Sequence, residues 1–285
     1  MSSATADQLV SDSLLSRYAA MIYDLTGIRL SPQKKQLLAN RLRRRLRETG
    51  IASFEDYYTH LKKLPPTHSE WEAFLQEITT HETYLFRDQP HWDWLQREFL
   101  PQMVSAARLG QHAKRLRFWS AACSTGDEAF SIASCLAAAL PLRREWDIKI
   151  LGTDIGAGAV AEAKEARFGS RAMRLVPPDF QGRFFQLQAG ANAQLNTWKA
   201  KPDLIGMTEF RTHNLMEPLR EAPFDVVFLK NVLIYFDPPS KRKVVENVRK
   251  VMRPGSLLVA GAAEGVGDLM QGFERVKPWL FRRGN

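Results

Sequence analysis

Acidic and amide side chains follow three apolar stretches that have the composition of buried β-strands. Glu128 closes "LRFWSAACSTGDE", Asp154 closes "IKILGTD", and Asn231 and Tyr235 follow "PFDVVFLK". Ligands of open α/β sheets bind beyond the carboxyl ends of the strands, so we expect these side chains to meet. A carboxylate such as Asp154 can accept hydrogen bonds from both hydroxyls of a ribose. The spacing therefore predicts a site for a cofactor that contains a nucleoside.

The sequence motifs that bind nucleotide phosphates are absent. The chain has neither G-x-x-x-x-G-K-[ST] nor G-x-G-x-x-G, which disfavours a nucleoside triphosphate and weakens the case for NAD or FAD. Glu128 and Asp154 are unsuited to a pyrophosphate but suit a cofactor that is cationic and lacks phosphate. S-adenosylmethionine, an adenosine joined to a methionine sulfonium, has this chemistry, and S-adenosylhomocysteine is its demethylated product.

The stretch "ITTHETYLFRD", residues 78–88, joins hydrogen-bonding residues to an apolar pair and an arginine. Its clustered threonines disfavour a helix because β-branched side chains lose conformational freedom there. Tyr84, Leu85 and Phe86 are too apolar for an ordinary surface loop. The composition predicts an irregular segment with a role of its own.

Helical periodicity dominates the first 80 residues. Leu38, Leu42 and Leu46 recur every fourth residue and form one apolar stripe. The pattern predicts four helices: 9–25 with a stop at Gly27, one opened by Ser31-Pro32 and ended by Gly50, 53–64, and 69–78.

Strands and helices alternate from Leu116 onward, which predicts a mostly parallel sheet with buried strands. The predicted strands are "LRFWSAA", "IKILGTDI", "PFDVVFLKNV" and "SLLVAGAAE". The predicted helices are "GDEAFSIASCLAAAL", "AGAVAEAKEARFG" ended by Gly169, and "PPSKRKVVENVRKVMRPG" ended by Pro254-Gly255. Between Phe180 and His213, the pieces "FFQLQ" and "TEFRT" predict a small antiparallel insertion.

Composition and charge indicate the class of partner and the cellular compartment to expect. A net charge of +9 favours an acidic partner, which could be nucleic acid, an anionic membrane or an acidic protein. The two cysteines have no metal or disulfide pattern, so we expect a reducing cytoplasm. The beginning of the chain lacks the features of a signal peptide, and the apolar run 129–142 is too short to span a bilayer.

The chain resembles the CheR-type chemotaxis receptor glutamate methyltransferases along nearly its whole length. The resemblance rests on "NRLRRRLRETG", "TTHETYLFRD", "WSAACSTGDEAFSIA", "GTDI", "NLMEP", "FDVVFLKNVLIYFD" and "RPGSLLVAGAAE". It implies a Rossmann-like class I methyltransferase sheet (residues 79–285) with a small antiparallel β insertion at about 183–213. An N-terminal all-helical domain (1–78) would precede it. The implied reaction transfers a methyl group from S-adenosylmethionine to chemoreceptor glutamates, giving methyl esters.

The resemblance also implies site residues. Arg87 would hold the methionine carboxylate of the cofactor beside Thr83, and Leu85 and Phe86 would anchor their segment in the core. The implied cofactor contacts are His81, Thr83, Arg87, Glu128, Asp154, Asn214, Leu215, Asn231 and Val232. Tyr235 and Arg87 are the candidate catalytic residues, with Tyr235 orienting the acceptor or the methyl group.

The partner that the resemblance implies is the cytoplasmic helical bundle of a chemoreceptor. Arg41, Arg44 and Arg45 share one helix face opposite the leucine stripe, so we expect them to bind the acidic substrate surface. The competing interpretation is a solvated helix face. The insertion is the expected site for a receptor tail peptide, and we expect a cytoplasmic protein recruited to receptor arrays, without insertion into the membrane.

Five residues depart from the family pattern: His81 for asparagine, Gly156 for an acid or serine, Lys230 for arginine, Ser256 for glycine and Ala263 for serine. They favour a divergent paralogue, with consequences for cofactor affinity and substrate identity. We expect His81→Asn to keep or improve cofactor affinity.

Several motifs can be interpreted in more than one way. Asp154 could be a helix N-cap, and Cys123 could be a reactive thiolate, although a small loop-filling residue fits better. His81-Glu82 and His91 with Asp93 lack a third ligand, so no metal is expected.

"FDPPS" is similar to a motif of nucleic-acid methyltransferases, but Ser240 replaces its stacking aromatic residue, and Asp237-Pro238-Pro239 is predicted to start a helix. A nucleic-acid methyltransferase and a non-catalytic receptor-binding adaptor remain the competing functions.

Overall fold

The computed structural model describes residues 10–31, 34–140, 143–192, 195–261, 264 and 269–285, with the side chain of residue 143 left out. Four helices come first: α1 Asp12–Thr26, α2 Lys35–Thr49, α3 Phe54–Lys63 and α4 Ser69–Ile78. The Ser11 and Ser53 hydroxyls accept from backbone N–H groups in the first turns of α1 and α3. Gly27 and Gly50 end α1 and α2 with φ of 71° and 69°. The predicted Ser31-Pro32 start falls partly outside the described residues, and α2 begins at Lys35.

The four helices pack around a small apolar core of their own. Leu38, Leu42 and Leu46 are buried, which confirms the predicted stripe, and they share this core with Tyr18 and Phe74. A hydrogen bond joins these helices to the remainder of the chain. The Gln76 side chain of α4 accepts a hydrogen bond of 3.1 Å from the backbone N–H of Ala159.

A long helical stretch that the sequence analysis did not predict leads into the sheet. It consists of α5 Gln89–Trp94, a π-helical turn Leu95–Phe99 and α6 Leu100–Arg108. Trp92 stacks on Phe228 of the sheet with ring centroids 5.7 Å apart. This contact fixes the residues just before α5, which include Arg87, against the sheet.

Ten strands form two sheets in the described parts of the chain. They are β1 Arg115–Ala121, β2 Asp147–Asp154, β3 Arg167–Gly169, β4 Phe185–Gln188, β5 Thr197–Ala200, β6 Thr208–Thr212, β7 Phe224–Leu229, β8 Met252–Ala260, β9 Phe273–Lys277 and β10 Leu280–Arg283. The large sheet has the order β6-β2-β1-β7-β8-β10-β9, and its first five strands are parallel. β10 is antiparallel to both of its neighbours. The predicted parallel sheet is confirmed.

The order of these strands places a topological switch at β1. The chain proceeds from β1 to β2 on one side and later reaches β7 on the other. The crossover helices include α7 Asp127–Ala139, α8 Ala157–Glu165 and α12 Pro238–Lys250. Ligand sites of such sheets lie at this switch, beyond the carboxyl ends of the strands.

The small sheet, in the order β3-β5-β4, is antiparallel, and two predictions in this region are corrected. α8 ends at Glu165, and the next residue, Ala166, has φ 49°. Arg167–Gly169 is a strand instead of the last turn of the helix. "TEFRT" is β6, a parallel edge strand of the large sheet. Alternation of polar and apolar residues predicts a strand but does not indicate which strand it pairs with. Short helices complete this region: α9 Ser170–Met173, α10 Pro178–Phe184 and α11 Pro202–Ile205.

The crossover from β7 to β8 also differs from the predicted boundaries. α12 ends at Lys250, and Pro254-Gly255 lies within β8 instead of ending the helix. Ser256 closes this irregular part of β8 by donating a hydrogen bond of 2.8 Å to the carbonyl of Phe224. In the described residues, every helix is too short or too polar to span a bilayer.

Candidate functional site

One cleft opens at the carboxyl ends of β1, β2 and β7, under the connection between α1 and α2. That connection is held by an antiparallel bridge between Ile28 and Phe236 and by a hydrogen bond of 2.9 Å from Arg29 N–H to the carbonyl of Tyr235. The cleft is lined by Thr26, Ile28, Leu30, Lys34, Leu37, Arg41, residues 78–84, Arg87, Trp92, residues 122–124, Glu128, Asp154, Ile155, residues 213–215, residues 230–232 and residues 234–236. All of the predicted cofactor and catalytic residues are among them.

Asp154 ends β2 and is buried in the floor of the cleft. Its Oδ2 accepts from Ser124 N–H at 2.8 Å and its Oδ1 from Gly156 N–H at 2.9 Å. The helix that follows has Gly156 as its N-cap, so Asp154 is not the helix cap that the sequence left open. Each carboxylate oxygen has a further lone pair with which to accept a ligand hydroxyl.

Glu128 lies in the first turn of α7. Ser120 donates its hydroxyl to Glu128 Oε1 at 2.7 Å, and Lys230 Nζ lies 3.5 Å from Glu128 Oε2. Gly126 precedes the helix with φ 88°, and a Cβ there would lie 3.0 Å from the Ala163 Cβ. The glycine therefore permits the tight turn that delivers Glu128 to the cleft.

The segment 78–88 forms one wall of the cleft and is anchored as predicted. The Leu85 and Phe86 side chains are fully buried, and Phe86 N–H donates to Ser131 Oγ at 2.9 Å. Phe86 and Asp88 have φ of 56° and 66°, unfavourable for residues other than glycine. Between them Arg87 enters the cleft, and its Nη1 donates to the Glu82 carbonyl at 3.2 Å.

Backbone strain is concentrated around this cleft. Of the six residues other than glycine with positive φ in the described ranges, three line the cleft, namely Ala122, Ser124 and Asn231. Two more, Phe86 and Asp88, flank Arg87. Strained backbone persists where the surroundings hold it, and it is common at functional sites.

The loop after β7 carries Asn231, Val232 and Tyr235. A carboxylate that the sequence analysis missed, Glu264, is buried beneath this loop and accepts from Val232 N–H at 3.2 Å. Burial raises the pKa of Glu264, while hydrogen bonds from the loop backbone oppose the rise. A Cβ on Gly261 would come within 2.9 Å of Glu264 Oε1. Asp154 was predicted because it follows a strand of the parallel sheet. Glu264 follows β8, so the same reasoning could have predicted it.

Tyr235 closes the loop on a 3-10 turn, Leu233–Tyr235, at the mouth of the cleft. Lys34 Nζ lies 5.1 Å from the centre of its ring. The tyrosine thus lies between the sheet and the connection from α1 to α2.

Asn214 and Leu215 lie at the back of the cleft, beyond β6. The Asn214 amide donates to the Leu25 carbonyl at 2.7 Å and accepts from Met216 N–H at 3.0 Å. Leu215 is buried. Asn214 therefore joins the sheet to the end of α1.

His81 and Gly156, two departures from the family pattern, contact each other. A Cβ on Gly156 would lie 2.6 Å from His81 Cε1 and 2.5 Å from Gln76 Oε1. His81 Nε2 is 2.7 Å from Thr79 Oγ1, and its Nδ1 is 3.7 Å from Asp154 Oδ1. The imidazole occupies the space that a side chain at position 156 would need. Of the remaining departures, Lys230 is in the cleft, Ser256 lies outside it, and Ala263 falls outside the described residues.

The three predicted substrate arginines have different surroundings. Arg41 lines the cleft and donates to Thr80 Oγ1 at 2.8 Å, and burial lowers the pKa of its guanidinium. Arg44 is half exposed and pairs with Glu77 at 2.9 Å.

The prediction that Arg45 faces a partner is wrong. Its side chain is buried, pairs with Glu70 at 2.7 Å and also contacts Glu48. Tyr57 donates its hydroxyl to the same Glu70 at 2.6 Å. Arg45 belongs to the interior of the helical bundle because α3 and α4 cover that part of α2.

Cys123 and Asp237 have structural roles next to the cleft. Cys123 is buried, and burial raises the pKa of its thiol well above the usual value, which supports a loop-filling residue over a reactive thiolate. Asp237 accepts from Ser240 N–H at 3.0 Å and caps α12, as predicted for "FDPPS".

Comparison with known proteins identifies relatives over most of the chain. Two family models match: "CheR methyltransferase, all-alpha domain" over residues 14–79 and "CheR methyltransferase, SAM binding domain" over residues 81–280. Chemotaxis protein methyltransferase 2 of Pseudomonas aeruginosa is 35% identical over 246 residues, covering 85% of this chain and 83% of the relative. Chemotaxis protein methyltransferases of Klebsiella aerogenes and Salmonella typhimurium are each 31% identical. They cover 93% of this chain and 87% and 88% of their own lengths.

Proposed function

The chain belongs to the CheR methyltransferase family, and from this premise we propose that it transfers a methyl group from S-adenosylmethionine to glutamate side chains of chemoreceptors. The product is a glutamate methyl ester. The observation that carries the proposal is the convergence of Asp154, Glu128 and Arg87 in one cleft at the switch point of the sheet. Three chain segments supply them.

These three residues match the chemical groups of the cofactor. Asp154 has a free lone pair on each oxygen for the ribose hydroxyls, since its backbone partners occupy only one per oxygen. Glu128 suits the amino group of the methionine part, and Arg87 suits its carboxylate through paired N–H donors. The donor set thus fits a nucleoside that carries an amino acid.

S-adenosylmethionine supplies the methyl group from a sulfonium, a positively charged leaving group. The acceptor glutamate is already ionised near neutral pH, so the chain needs no general base. Its task is to align the acceptor oxygen and to exclude water from the two opposite charges. Ile28, Leu30 and Leu37 cover the cleft with apolar surface, and Tyr235 stands at the entrance to orient the acceptor.

Docking of the receptor is assigned to the surface around this entrance. Arg44 on α2 is half exposed and pairs with Glu77, and Arg41 is an arginine of α2 that reaches the cleft. An acidic helical bundle of a receptor complements this charge. We extend the proposal to a receptor tail peptide at the small antiparallel sheet and to recruitment of the cytoplasmic enzyme to receptor arrays.

The test combines transfer with the chemistry of the product. Purified receptor cytoplasmic domain is incubated with the chain and with S-adenosylmethionine carrying a labelled methyl group. We expect label on the receptor that mild alkali releases as methanol, because esters hydrolyse under these conditions. A receptor whose methylation glutamates are replaced by glutamine is the matched control and should stay unlabelled.

Results that differ from this expectation identify different functions. Label that resists alkali contradicts ester formation, and label on nucleic acid supports a nucleic-acid methyltransferase. Receptor binding without transfer and without S-adenosylhomocysteine binding identifies an adaptor.

A further inference from the structure

Lys230, immediately after β7, is a buried cation with one hydrogen bond and two ion-pair contacts. Its side chain is 1% exposed. Nζ lies 3.2 Å from the Arg87 carbonyl, 3.2 Å from Asp88 Oδ2 and 3.5 Å from Glu128 Oε2. The Arg87 carbonyl accepts a hydrogen bond from the ammonium, and the two carboxylates lie within ion-pair distance of it. Lys230 is therefore held by three neighbours where it lines the cleft.

The three acceptors belong to two of the segments that present charge to the cleft. Glu128 comes from the first turn of α7, whereas Arg87 and Asp88 come from the strained segment before α5. The Arg87 carbonyl is also held by Trp92 Nε1 at 2.8 Å, and Lys230 Nζ lies 5.3 Å from the Trp92 ring centre. Lys230 thus connects the carboxylate of Glu128 to the backbone that carries the Arg87 guanidinium.

Glu128 depends on this connection because it is largely buried. Ser120 fixes one of its oxygens and Lys230 lies beside the other. Removal of one partner of a buried ion pair leaves the other charge uncompensated, which is strongly unfavourable. Without the ammonium, Glu128 would lose the positive charge beside it, and Asp88 would lose its ion pair with the residue that follows β7.

We propose that Lys230 is a positioning residue for the amino-acid end of the methyl donor. It acts through Glu128 and Arg87 and leaves the nucleoside end to Asp154. The inference rests on the proposed function and deepens it, since it divides the cofactor site into two parts with separate supports.

The experiment compares two ligands that differ only at the amino-acid end. S-adenosylhomocysteine has that end, and 5′-methylthioadenosine has the nucleoside and sulfur without it. Calorimetric titration is performed on the wild-type chain, on Lys230→Met and on Lys230→Arg. Methionine keeps the length of the side chain against Trp92, and arginine keeps the charge and the donors.

We expect Lys230→Met to weaken S-adenosylhomocysteine binding by about tenfold or more and to change methylthioadenosine binding by less than about twofold. Lys230→Arg should retain most of the affinity for both ligands. Equal weakening of both ligands by Lys230→Met would reduce Lys230 to a general support of the fold and overturn the proposal. Unchanged S-adenosylhomocysteine binding would overturn it as well.

A second variant covers the case in which Lys230→Met does not fold. Lys230→Met combined with Glu128→Gln removes both charges, and any loss of S-adenosylhomocysteine affinity beyond that of Glu128→Gln alone measures the part that passes through Arg87. Its methylthioadenosine affinity should stay within about twofold of that of Glu128→Gln, and an equal loss for both ligands would contradict a role at the amino-acid end. If the wild-type chain binds neither ligand, the proposed function fails, and the role of Lys230 fails with it.

Discussion

At the scale of single residues, the two carboxylates of the cleft are held by different kinds of partner. Asp154 accepts from two backbone N–H groups, at Ser124 and Gly156, and these donors persist whatever side chains occupy those positions. Glu128 is held by two side chains, those of Ser120 and Lys230. The position of Asp154 therefore depends on the shape of its loop, whereas that of Glu128 depends on residue identity.

Asp154→Ala should weaken S-adenosylhomocysteine binding by about 1–3 kcal/mol, because charge-assisted hydrogen bonds to the ribose are lost. The measurement is calorimetric titration. Asp147→Ala is the matched control, since Asp147 begins the same strand at its opposite end and is exposed. Wild-type affinity in Asp154→Ala would show that Asp154 only shapes the loop.

The contact between His81 and Gly156 predicts that the two positions are coupled. Gly156→Ala should destabilise the chain and weaken cofactor binding, because the new Cβ meets the His81 ring and Gln76. His81→Asn should retain cofactor affinity and relieve part of the Gly156→Ala defect. A double-mutant cycle on the free energies of unfolding and binding measures the coupling. Additive effects of the two substitutions would contradict the contact.

At the scale of elements, α2 divides its arginines between two environments. Arg45 faces α3 and α4 and is neutralised by Glu70, while Arg44 remains half exposed. Helical spacing of three and four residues places side chains on adjacent parts of the surface, but only packing decides which part is covered. Fewer arginines of α2 are therefore accessible for receptor docking than the sequence suggests.

Arg44→Glu should lower the rate of receptor methylation and its sensitivity to salt without changing cofactor affinity. Charge attraction at an exposed site is screened over about 10 Å at 0.1 M salt, so the effect should fade as salt rises. Arg97→Glu, with the same charge change on a largely exposed arginine after α5, is the control. Equal rates for Arg44→Glu and Arg97→Glu would make Arg44 part of a solvated face. Arg45→Glu is unsuitable for this test because it breaks a buried ion pair.

At the scale of the whole molecule, positive charge is concentrated around the small antiparallel sheet. Residues 166–201 contain six basic residues and one acidic residue, Asp179, which is a net charge of +5 out of +9. The basic residues are Arg167, Arg171, Arg174, Arg183, Lys199 and Lys201. Arg171 pairs with the carboxylate of Glu82 outside this region, whereas the Lys199 and Lys201 ammonium groups donate to uncharged backbone carbonyls. The positive charge of this region therefore complements the acidic partner inferred from composition as much as the charge of α2 does.

Acid stability should reflect His91, which is buried against Trp279. Burial, aided by the charge of Lys230, lowers the pKa of His91 to about 3. The unfolded chain protonates this histidine near pH 6.5, so it binds more protons than the folded chain between about pH 6.5 and 3. Stability should fall with decreasing pH in this window by up to about 1.4 kcal/mol per pH unit from this residue.

His91→Leu should therefore show a shallower loss of unfolding free energy between about pH 6 and pH 4, as measured by urea denaturation. His112→Leu is the control for loss of a histidine outside the core, because His112 is only partly buried. Equal slopes for the wild-type chain and His91→Leu would contradict a neutral, buried His91.

The sequence by itself determined the features that local pattern encodes. Apolar periodicity predicted α1–α4 and the parallel strands β1, β2, β7 and β8, because burial on one face or on both leaves a repeat in the chain. The position of polar residues after those strands predicted that Glu128, Asp154 and Asn231 meet, since parallel strands end at one edge. The resemblance added Arg87 and its role toward the cofactor, and Arg87 lines the same cleft.

Only the tertiary structure decided which of several equivalent residues are covered and which partners distant residues find. Arg45 is buried because two other helices pack over it, and "TEFRT" joins the large sheet because an edge of β2 is available. Lys230 finds its acceptors 102 to 143 positions away along the chain. Such contacts depend on how whole elements pack, and that arrangement leaves no repeat or spacing in the local sequence.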